Sequence, residues 1–595
     1  NNSTNESWAT ERTYYIANEY RGYDFNSVTP TSAEFKAAQL PFGGILYTND
    51  NNQYSYNIQN KLQFSKAFNP DNRLNALLGM ELRSSTAKGT ANKVWGYVPD
   101  RGERIVAPTI PSEVITPNNP PTGWGILGDI YSRGWQRTDN TNNFLSFFAT
   151  FAYSFKNRYV VNANVRNDAS NVFGQDINHR IDPTYSFGLS WRASEEAFFQ
   201  KHLKWITTLN FRGTFGIQGN ALTRESPELI LSQQGVQPGY NRYFSTIGQI
   251  PNPYLSWERT RNWNFGVDLE LFRMFYMNLE YYTRRSNAVI TVDLPFEYGI
   301  DDMKRNGGII YNRGIEYTLS FTPIQKRDFS LNINLNASKN WNKGGETKID
   351  RNTAMYLRGG STQILKEGYP LSAFWSYSFA GLDGSNGKPM FNYVEVPDEE
   401  KSKSIDPTTY LVYSGETEPY FTGGLGFSFR YKSLSLNTSF SLLLGSKKRL
   451  PSPYSDFQGS GSMMPDPTKN VNRDLLNRWQ KPGDEVYTNI PGLPTWPIEI
   501  GWTLPNTDSA ESAIEMWEKS DAMVVSGSFL RCRNIGLSWQ MKKEWCDKIH
   551  AKNLAINFNM DNIFVIASKR FNGFDPELEN SIMPRSFSLG LNIGF

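Results

Sequence analysis

Three histidines, His179, His202 and His550, are the residues with which this chain could build a catalytic triad or a zinc site. All three fall in predicted connections, far apart in sequence, and no catalytic constellation emerges around them. Two cysteines cannot make a disulfide framework. Cys532 sits inside a predicted strand and Cys546 in a polar turn, so both read as free thiols. The stretch DGSNGKP (383–389) resembles a loose calcium loop but lacks a carboxylate at every second position, and an ordinary turn fits it better. Gly-bearing stretches such as GYVPDRGER are not phosphate loops. No enzyme, metal or cofactor is expected.

The aromatic residues say more. Trp479, Trp496, Trp502 and Trp517 all lie between 447 and 526, with Tyr454 and Tyr487. Aromatic faces can stack on sugar rings or hold an extended peptide by apolar contact. The other reading is that these rings pack a long loop against itself. NVNRDLLNRW (470–479) reads as a helical turn with Val471, Leu475, Leu476 and Trp479 on one side, and ESAIEMWEK (511–519) is similar. Such elements suit a folded cap more than a mobile tether.

The elements that must carry this loop are strands. In SFSLGLNIGF (586–595), Phe587, Leu589, Leu591, Ile593 and Phe595 alternate with Ser and Gly and Asn. A period of two puts all five on one face of a strand. The pattern recurs in FSLNINLNAS, where Phe329, Leu331, Ile333 and Leu335 alternate with Asn332 and Asn334. In LAINFNM, Leu554, Ile556 and Phe558 alternate with Asn557 and Asn559. LGFSFRY, WNFGVDLEL and YSYNIQNKLQF repeat it.

About sixteen such segments exceed the usual five or six residues of soluble strands. They lie near 13–21, 53–66, 74–84, 144–156, 158–168, 184–193, 205–216, 260–272, 275–285, 313–322, 329–341, 420–431, 433–446, 527–540, 553–561 and 585–595. Their connections are expected to alternate between short and long, the signature of tight periplasmic turns on one rim and extracellular loops on the other. The long ones fall near 22–52, 85–143, 169–183, 217–259, 286–312, 342–419, 447–526 and 562–584. By parity, 342–419 holds no barrel strand or an even number. SAFWSYSFAGLD (372–383) looks like a strand, so a hairpin within this connection would bring the total to about eighteen.

Composition agrees. Mean hydropathy is −0.53, and no apolar run approaches the roughly 18 residues of a membrane helix. That excludes a helical membrane protein but not a membrane β-barrel, whose signal per strand is weak. Aromatic content is 14%, enough for girdles at both membrane interfaces. A net charge of +3, with no polybasic run, gives no case for nucleic acid.

Eight motifs follow one another along the chain: NRYVVNANVRNDASNVFG (157–174), SFGLSWRASEEAFF, LNFRGTFGIQGN, NPYLSWERTRNWNFGVDLELF (252–272), NRGIEYTLSFTPIQKRDFSLNINLNASKN (312–340), LNRWQKPGD (476–484), SGSFLRCRNIGLSW (526–539) and FDPELEN (574–580). Together they resemble the SusC/RagA family of TonB-dependent outer-membrane transporters. Ala169 stands where the family loop usually has Gly. The resemblance covers about residue 140 onward. It implies an all-β transmembrane antiparallel barrel of 22 strands, with about 16–18 of them in this chain. It also implies a plug, a TonB box and first barrel strands, none of which is seen in a sequence opening NNSTNESWAT. Residues 1–595 therefore read as the C-terminal part of the barrel.

The function implied is active import of oligomeric nutrients across the bacterial outer membrane, glycan oligosaccharides first and oligopeptides next. The implied partners are a SusD-like surface lipoprotein on the extracellular face, TonB through the N-terminal part, and outer-membrane lipid and lipopolysaccharide. Trp479, Tyr487, Trp496, Trp502 and Tyr454 are the loop candidates for substrate. A passive porin of 16–18 strands is the alternative. Phe329, Leu331, Ile333, Leu335, Phe558 and Leu589 are expected to face lipid, and Asn332, Asn334, Asn557, Asn559 and Asn592 the lumen. Resemblance to outer-membrane barrels also implies that Phe595, with Ile593 and Leu591, is an assembly signal. Phe595→Ala should then leave protease-sensitive chain in the periplasm while any folded barrel melts almost normally. Normal folded yield on heat-modifiable gels would end that reading.

Overall fold

The computed structural model describes residues 2–10, 44–99, 102, 104–105, 135–171, 181–220, 228–237, 242–252, 254–294, 296–300, 302–345, 356–360, 365–392, 407–454, 470–493, 500–503, 510–578 and 581–595. Sixteen long strands follow one another in a single antiparallel sheet. The first eight are β1 (Asn2–Ala9), β2 (Gly44–Asn69), β3 (Asn72–Val98), β4 (Trp135–Phe155), β5 (Tyr159–Ser170), β6 (Ile181–Arg192), β7 (Ile206–Asn220) and β8 (Glu258–Leu271). The others are β9 (Phe275–Asp293), β10 (Asp302–Gln325), β11 (Phe329–Gly344), β12 (Phe421–Tyr431), β13 (Leu434–Leu444), β14 (Phe529–Gln540), β15 (Asn553–Ile566) and β16 (Ser586–Gly594). Each pairs with the next in sequence order, the up-and-down meander of a barrel wall.

The strand expected near 13–21 lies outside the described residues, and a strand not foreseen, β1, forms from Asn2–Ala9. The segment SAFWSYSFAGLD contributes no barrel strand: Ala373–Tyr377 and Phe379–Leu382 each join a separate two-stranded sheet. All five residues of Ala373–Tyr377 are buried, so this segment belongs to a core and not to a two-faced wall. Among the described residues the sheet does not close on itself. β16 pairs with β15, and β1 pairs with residues 45–52 of β2.

The alternation of connections holds by rim rather than by length. Residues 294–301 join β9 to β10 on the long-loop rim, yet 193–205 and 541–552 on the other rim are longer. The reason is that β9 and β10 run 19 and 24 residues, so this hairpin projects as paired strand where the sequence suggested loop. β2 and β3 go further, at 26 and 27 residues, against the roughly 9–11 a membrane strand needs.

The tight turns explain themselves. Lys156–Asn157 and Phe272–Arg273 are pairs of consecutive left-handed residues (φ 50° and 53°, 53° and 57°). Two positive φ values in a row match the twist of a hairpin. For Phe272, with no glycine to ease it, the pairing on either side enforces the conformation. At 193–205 a carboxylate organises the rim. Glu196 accepts hydrogen bonds from Arg158 Nη1 (3.0 Å), Tyr159 Oη (2.5 Å) and Trp191 Nε1 (3.2 Å). The Tyr159 hydroxyl, followed by the Trp191 and Arg158 contacts, holds the Glu196 carboxyl below its ordinary range. A depressed carboxyl stabilises above its unfolded value and loses that contribution as pH falls through the folded one. This rim should therefore loosen only in acid, and Glu196→Gln should abolish that acid limb in hydrogen exchange of 193–205.

Register keeps the two faces in phase across the whole sheet. Leu331, Ile333 and Leu335 of β11 sit opposite Phe429, Phe427 and Leu425 of β12. Asn332 and Asn334 sit opposite Ser428 and Gly426. Phe558 lies between Leu537 and Leu589, and Asn557 and Asn559 lie opposite Gly590 and Ser588. One face of these strands is thus apolar and the other is Asn, Ser and Gly. Near the short-turn rim the apolar face carries stacked ring pairs, Phe155–Tyr159 (centroids 6.3 Å), Trp191–Phe211 (5.6 Å) and Trp205–Phe272 (5.7 Å), arranged as an interfacial girdle. Leu335 stands about 20 Å along the strand from the 326–328 turn. Leu335→Arg is expected to cost about 2–4 kcal/mol in a bilayer and Asn334→Arg far less. Equal losses in urea-driven unfolding from liposomes would contradict the assignment of faces.

Candidate functional site

The polar face is a wall studded with shared arginines. Arg166 lays its Nε on both oxygens of Asp168 (2.8 and 2.9 Å), and its Nη2 reaches Glu81 (3.2 Å) and Ser146 (2.8 Å). Arg212 Nη2 bridges Asp268 (3.2 Å) and Glu280 (2.9 Å). Asn278 and Asn264 donate to those same two carboxylates. Each arginine serves two carboxylates, so each cluster keeps a net negative charge. Beside them the wall holds two adjoining depressions of about 500 and 820 Å³, which share Thr150, Asn164, Ser186 and Thr214. Hydroxyls and amides there offer both donors and acceptors, suited to polar solutes of mixed character.

At the long-loop rim, the described residues of connections 345–420 and 445–528 fold into one cap. Trp375, Tyr377, Leu411 and Leu357 form one buried cluster with Met516. Tyr454, Leu475, Ile514 and Met523 form a second with Trp517. Met516 and Trp517 are neighbours on the helix Ala513–Glu518, so one short helix is keyed into both cores. Its start is secured by a capping box: Ser512 Oγ accepts from the Glu515 amide, and Glu515 Oε2 accepts from the Ser512 amide. Phe391 packs against both clusters from the first connection.

This placement sorts the aromatic candidates. Tyr454 is buried, its hydroxyl donating to the Pro491 carbonyl (2.5 Å), and burial pushes its pKa above the ordinary tyrosine value. Trp517 is 1% exposed and donates to the Asn489 carbonyl (2.9 Å). Both rings pack the loop and offer no open face to a solute. Trp479 is half-buried, donating to Glu485 Oε2 (3.1 Å) with its ring against Gly387 and Gly492. A Cβ at Gly387 would lie 2.4 Å from Trp479 Cε3, so the turn 383–389 serves as the seat of that ring. Tyr487, by contrast, is 90% exposed. Trp496 lies outside the described residues. Trp502 lies in the strand Ile500–Thr503, and its side chain is outside the description.

The helical turn expected over 470–479 is a 3-10 segment, Arg473–Asn477. Its tighter winding buries Leu475 but leaves Leu476 and Val471 exposed, so the four apolar residues do not share a side. In DGSNGKP, Asp383 spends its carboxylate on Ser385 N (2.8 Å), Ser385 Oγ (2.7 Å) and Asn386 Nδ2 (3.2 Å). These bonds, the Ser385 hydroxyl first, hold its pKa below the ordinary range. Among the described residues no group of three or more His, Cys, Asp or Glu side chains could hold a metal ion. Cys532 and Cys546 are buried free thiols, Cys546 on the helix Lys543–Lys548 rather than in a turn.

Two arginine sites escaped the sequence reading. In the cap, Arg449 donates to the carbonyls of Arg358 (2.5 Å) and Trp375 (2.8 Å) and to Ser376 Oγ (3.1 Å). Burial first, then the charge of Arg358, lowers its pKa to about 10, so it stays charged at neutral pH. On β14, Arg531 is buried and its Nη2 donates to both oxygens of Asp575 (2.7 Å to each). Its Nε lies 2.8 Å from Glu577 Oε2, an ion pair outside hydrogen-bonding line. Arg533 takes the other Glu577 oxygen at 3.0 Å. SGSFLRCRNIGLSW and FDPELEN, quoted above as separate motifs, are thus two halves of one clamp. Further along the same connection, Arg570 donates to the carbonyls of Val524 (2.8 Å) and Ala522, and Asn572 Nδ2 donates to Asp474 (2.5 Å).

Burial raises the pKa of Glu518, on the cap helix, above the ordinary value. A raised carboxyl is a cost that grows as pH climbs past its unfolded value. Glu518→Gln should therefore raise cap stability at pH 7 but not at pH 4, read by the rate of protease nicking in 445–528.

Comparison with known proteins agrees with this architecture. A family model described as "TonB dependent receptor-like, beta-barrel" matches residues 1–445. TonB-dependent receptor P26 of Formosa agariphila is 24% identical over 585 residues, 91% of this chain and 53% of that protein. TonB-dependent receptor SusC of Bacteroides thetaiotaomicron is 25% identical over 486 residues, 76% of this chain and 44% of that protein. The chain spans about half the length of the curated relatives it matches. In fold it is similar to the structure titled "Structure of the RagAB peptide transporter", with a TM-score of 0.71 over 100% of this chain and 59% of that one, at 20% identity. Strand order, two-faced wall and family match lead to one conclusion: the chain belongs to the TonB dependent receptor-like β-barrel family.

Proposed function

We propose that this chain forms the C-terminal part of the wall, and the cap, of an outer-membrane importer that takes up oligomeric nutrients. In the complete protein, TonB would act on a plug supplied by the N-terminal part, and a SusD-like lipoprotein would sit on the extracellular face. The observation that carries the reading is the pairing of a polar wall with a co-folded cap at one rim. A pore for small solutes needs the first and has no use for the second, so the porin alternative is not favoured. Exposed Leu476, Val486 and Tyr487 offer the cap an apolar contact for a partner or a solute. Oligosaccharide remains the first substrate class and oligopeptide the second. The likeness to a structure titled as a peptide transporter lends weight to the latter.

Replacing 447–526 by a short linker tests the reading. Uptake of defined glycan and peptide oligomers should fall while the barrel stays inserted and heat-modifiable. Normal uptake without the cap would refute it, and a preference for one oligomer class names the cargo.

A further inference from the structure

On the apolar face of β2–β5 the wall has a recess of about 440 Å³. Its floor is three alanines, Ala76, Ala149 and Ala163. Its sides are Leu62 and Leu78 at one level and Phe64 and Phe151 at the next, since Leu62 pairs with Leu78, Phe64 with Ala76 and Ala76 with Phe151. Ala149 and Ala163 lie opposite Val165 and Phe151 on the neighbouring strands. The rows continue differently on β6–β8. There the same level carries Phe187, Phe215 and Trp263, with Phe215 and Trp263 only 4.4 Å apart between centroids, and large rings fill the surface. The recess is therefore a local property of this sector, where small side chains meet exposed large ones.

A basic end adjoins it. Lys66 is on the same face as Phe64, two residues nearer the 70–71 turn, about 7 Å along the strand. Its ammonium lies over the Phe68 ring at 5.4 Å. Lys156 lies over Phe155 at 5.3 Å, at a turn whose amide donates to the Asp71 carbonyl (2.6 Å). Neither lysine has a carboxylate at ion-pair distance among the described residues. Both belong to the level of the ring girdle, where a lysine stem can lie along apolar surface while its head reaches an interface. An apolar slot ending in a cationic, ring-lined interface matches one kind of molecule, an acyl chain joined to a phosphate.

We propose that this slot holds an acyl chain of one phospholipid from the periplasmic leaflet, with its phosphate held by Lys66 and Lys156. The proposal rests on the reading of the apolar face as the membrane face and of the short-turn rim as periplasmic. A slot of this kind would keep one lipid through purification where a flat face exchanges its lipids freely.

The test uses the complete transporter, extracted in detergent and offered palmitoyl-oleoyl phosphatidylglycerol or lipid A, with retained lipid read by native mass spectrometry. Wild type should retain one phospholipid per chain. Ala149→Phe, which fills the floor, should lower retention about tenfold, the worth of roughly two buried methylenes. Lys66→Gln should lower it too, while both variants keep normal heat-modifiable mobility. Equal retention by wild type and Ala149→Phe overturns the proposal, as does retention of lipid A in place of phospholipid. A lipophilic photolabel in the native membrane separates the two readings. If it fails to modify β2–β5 at all, the membrane face is wrong. If it modifies them while retention is unchanged by Ala149→Phe, the face stands and the slot is refuted.

Discussion

Asp575→Asn is expected to free the connection between β15 and β16 from the barrel. Arg531 is 2% exposed, and the Asp575 carboxylate is 5% exposed. Removing one member of a buried pair leaves an uncompensated charge, a loss of about 3–5 kcal/mol. The lower part of that range applies here because Glu577 stays 2.8 Å from Arg531 Nε. The asparagine also weakens the turn in which Asp575 Oδ1 accepts from the Glu577 amide (2.8 Å). The measurement is the rate of protease nicking within 567–585 in inserted barrels, which should rise about a hundredfold or more, each tenfold being 1.4 kcal/mol. Arg531→Met combined with Asp575→Leu should restore much of the protection, because replacing both partners removes the stranded charge. Nicking of Asp575→Asn at the wild-type rate would mean that the clamp contributes nothing.

Trp517→Ala carries the second large effect. It empties the centre of one cap cluster and leaves the Asn489 carbonyl without its donor, for a loss of about 3–5 kcal/mol. Because Met516 and Trp517 share a helix between two clusters, the damage should not stay on one side. Connections 345–420 and 445–528 should both become protease-sensitive, at similar rates. Loss of 445–528 alone would show two independent loops. Tyr487→Ala is the counter-case: an exposed ring whose removal should change cap stability by less than about 0.5 kcal/mol. If uptake falls in Tyr487→Ala with the cap intact, the ring touches cargo or partner.

Period-two patterning made the wall legible, because every second side chain must suit the same face across strand after strand. Fifteen of the strand positions read from sequence correspond to β2–β16, and the residues grouped together on β11, β15 and β16 keep to one face in the observed register. Strand ends were less legible. Beyond the membrane both faces meet water, so in β2, β3, β9 and β10 the pairing continues where the apolar alternation has stopped. The cap obeyed neither period. In the strand Ala373–Tyr377 every residue is buried, Trp375 and Tyr377 in a cluster of rings and Phe374 and Ser376 against Arg449. Tyr454 and Trp517 could not be told from solute-binding rings, since a buried and an offered aromatic have the same sequence signature. The Arg531–Asp575 pair spans 44 residues. No local pattern joins two such motifs, and only the adjacency of β14 and β15 does.

The tall β2–β3 hairpin constrains how this surface can vary. At 26 and 27 residues it reaches roughly 60 Å in height when tilted, against an apolar band of about 25 Å. The outermost part is therefore a paired ladder, and a ladder tolerates changes of length only in matched steps. Losing one residue from β2 alone would turn every outer side chain beyond it inward. Insertions and deletions in homologous chains should come in complementary pairs on the two strands, while side chains facing water drift freely. Molecules that approach this rim would thus meet a surface of changing chemistry on a fixed frame.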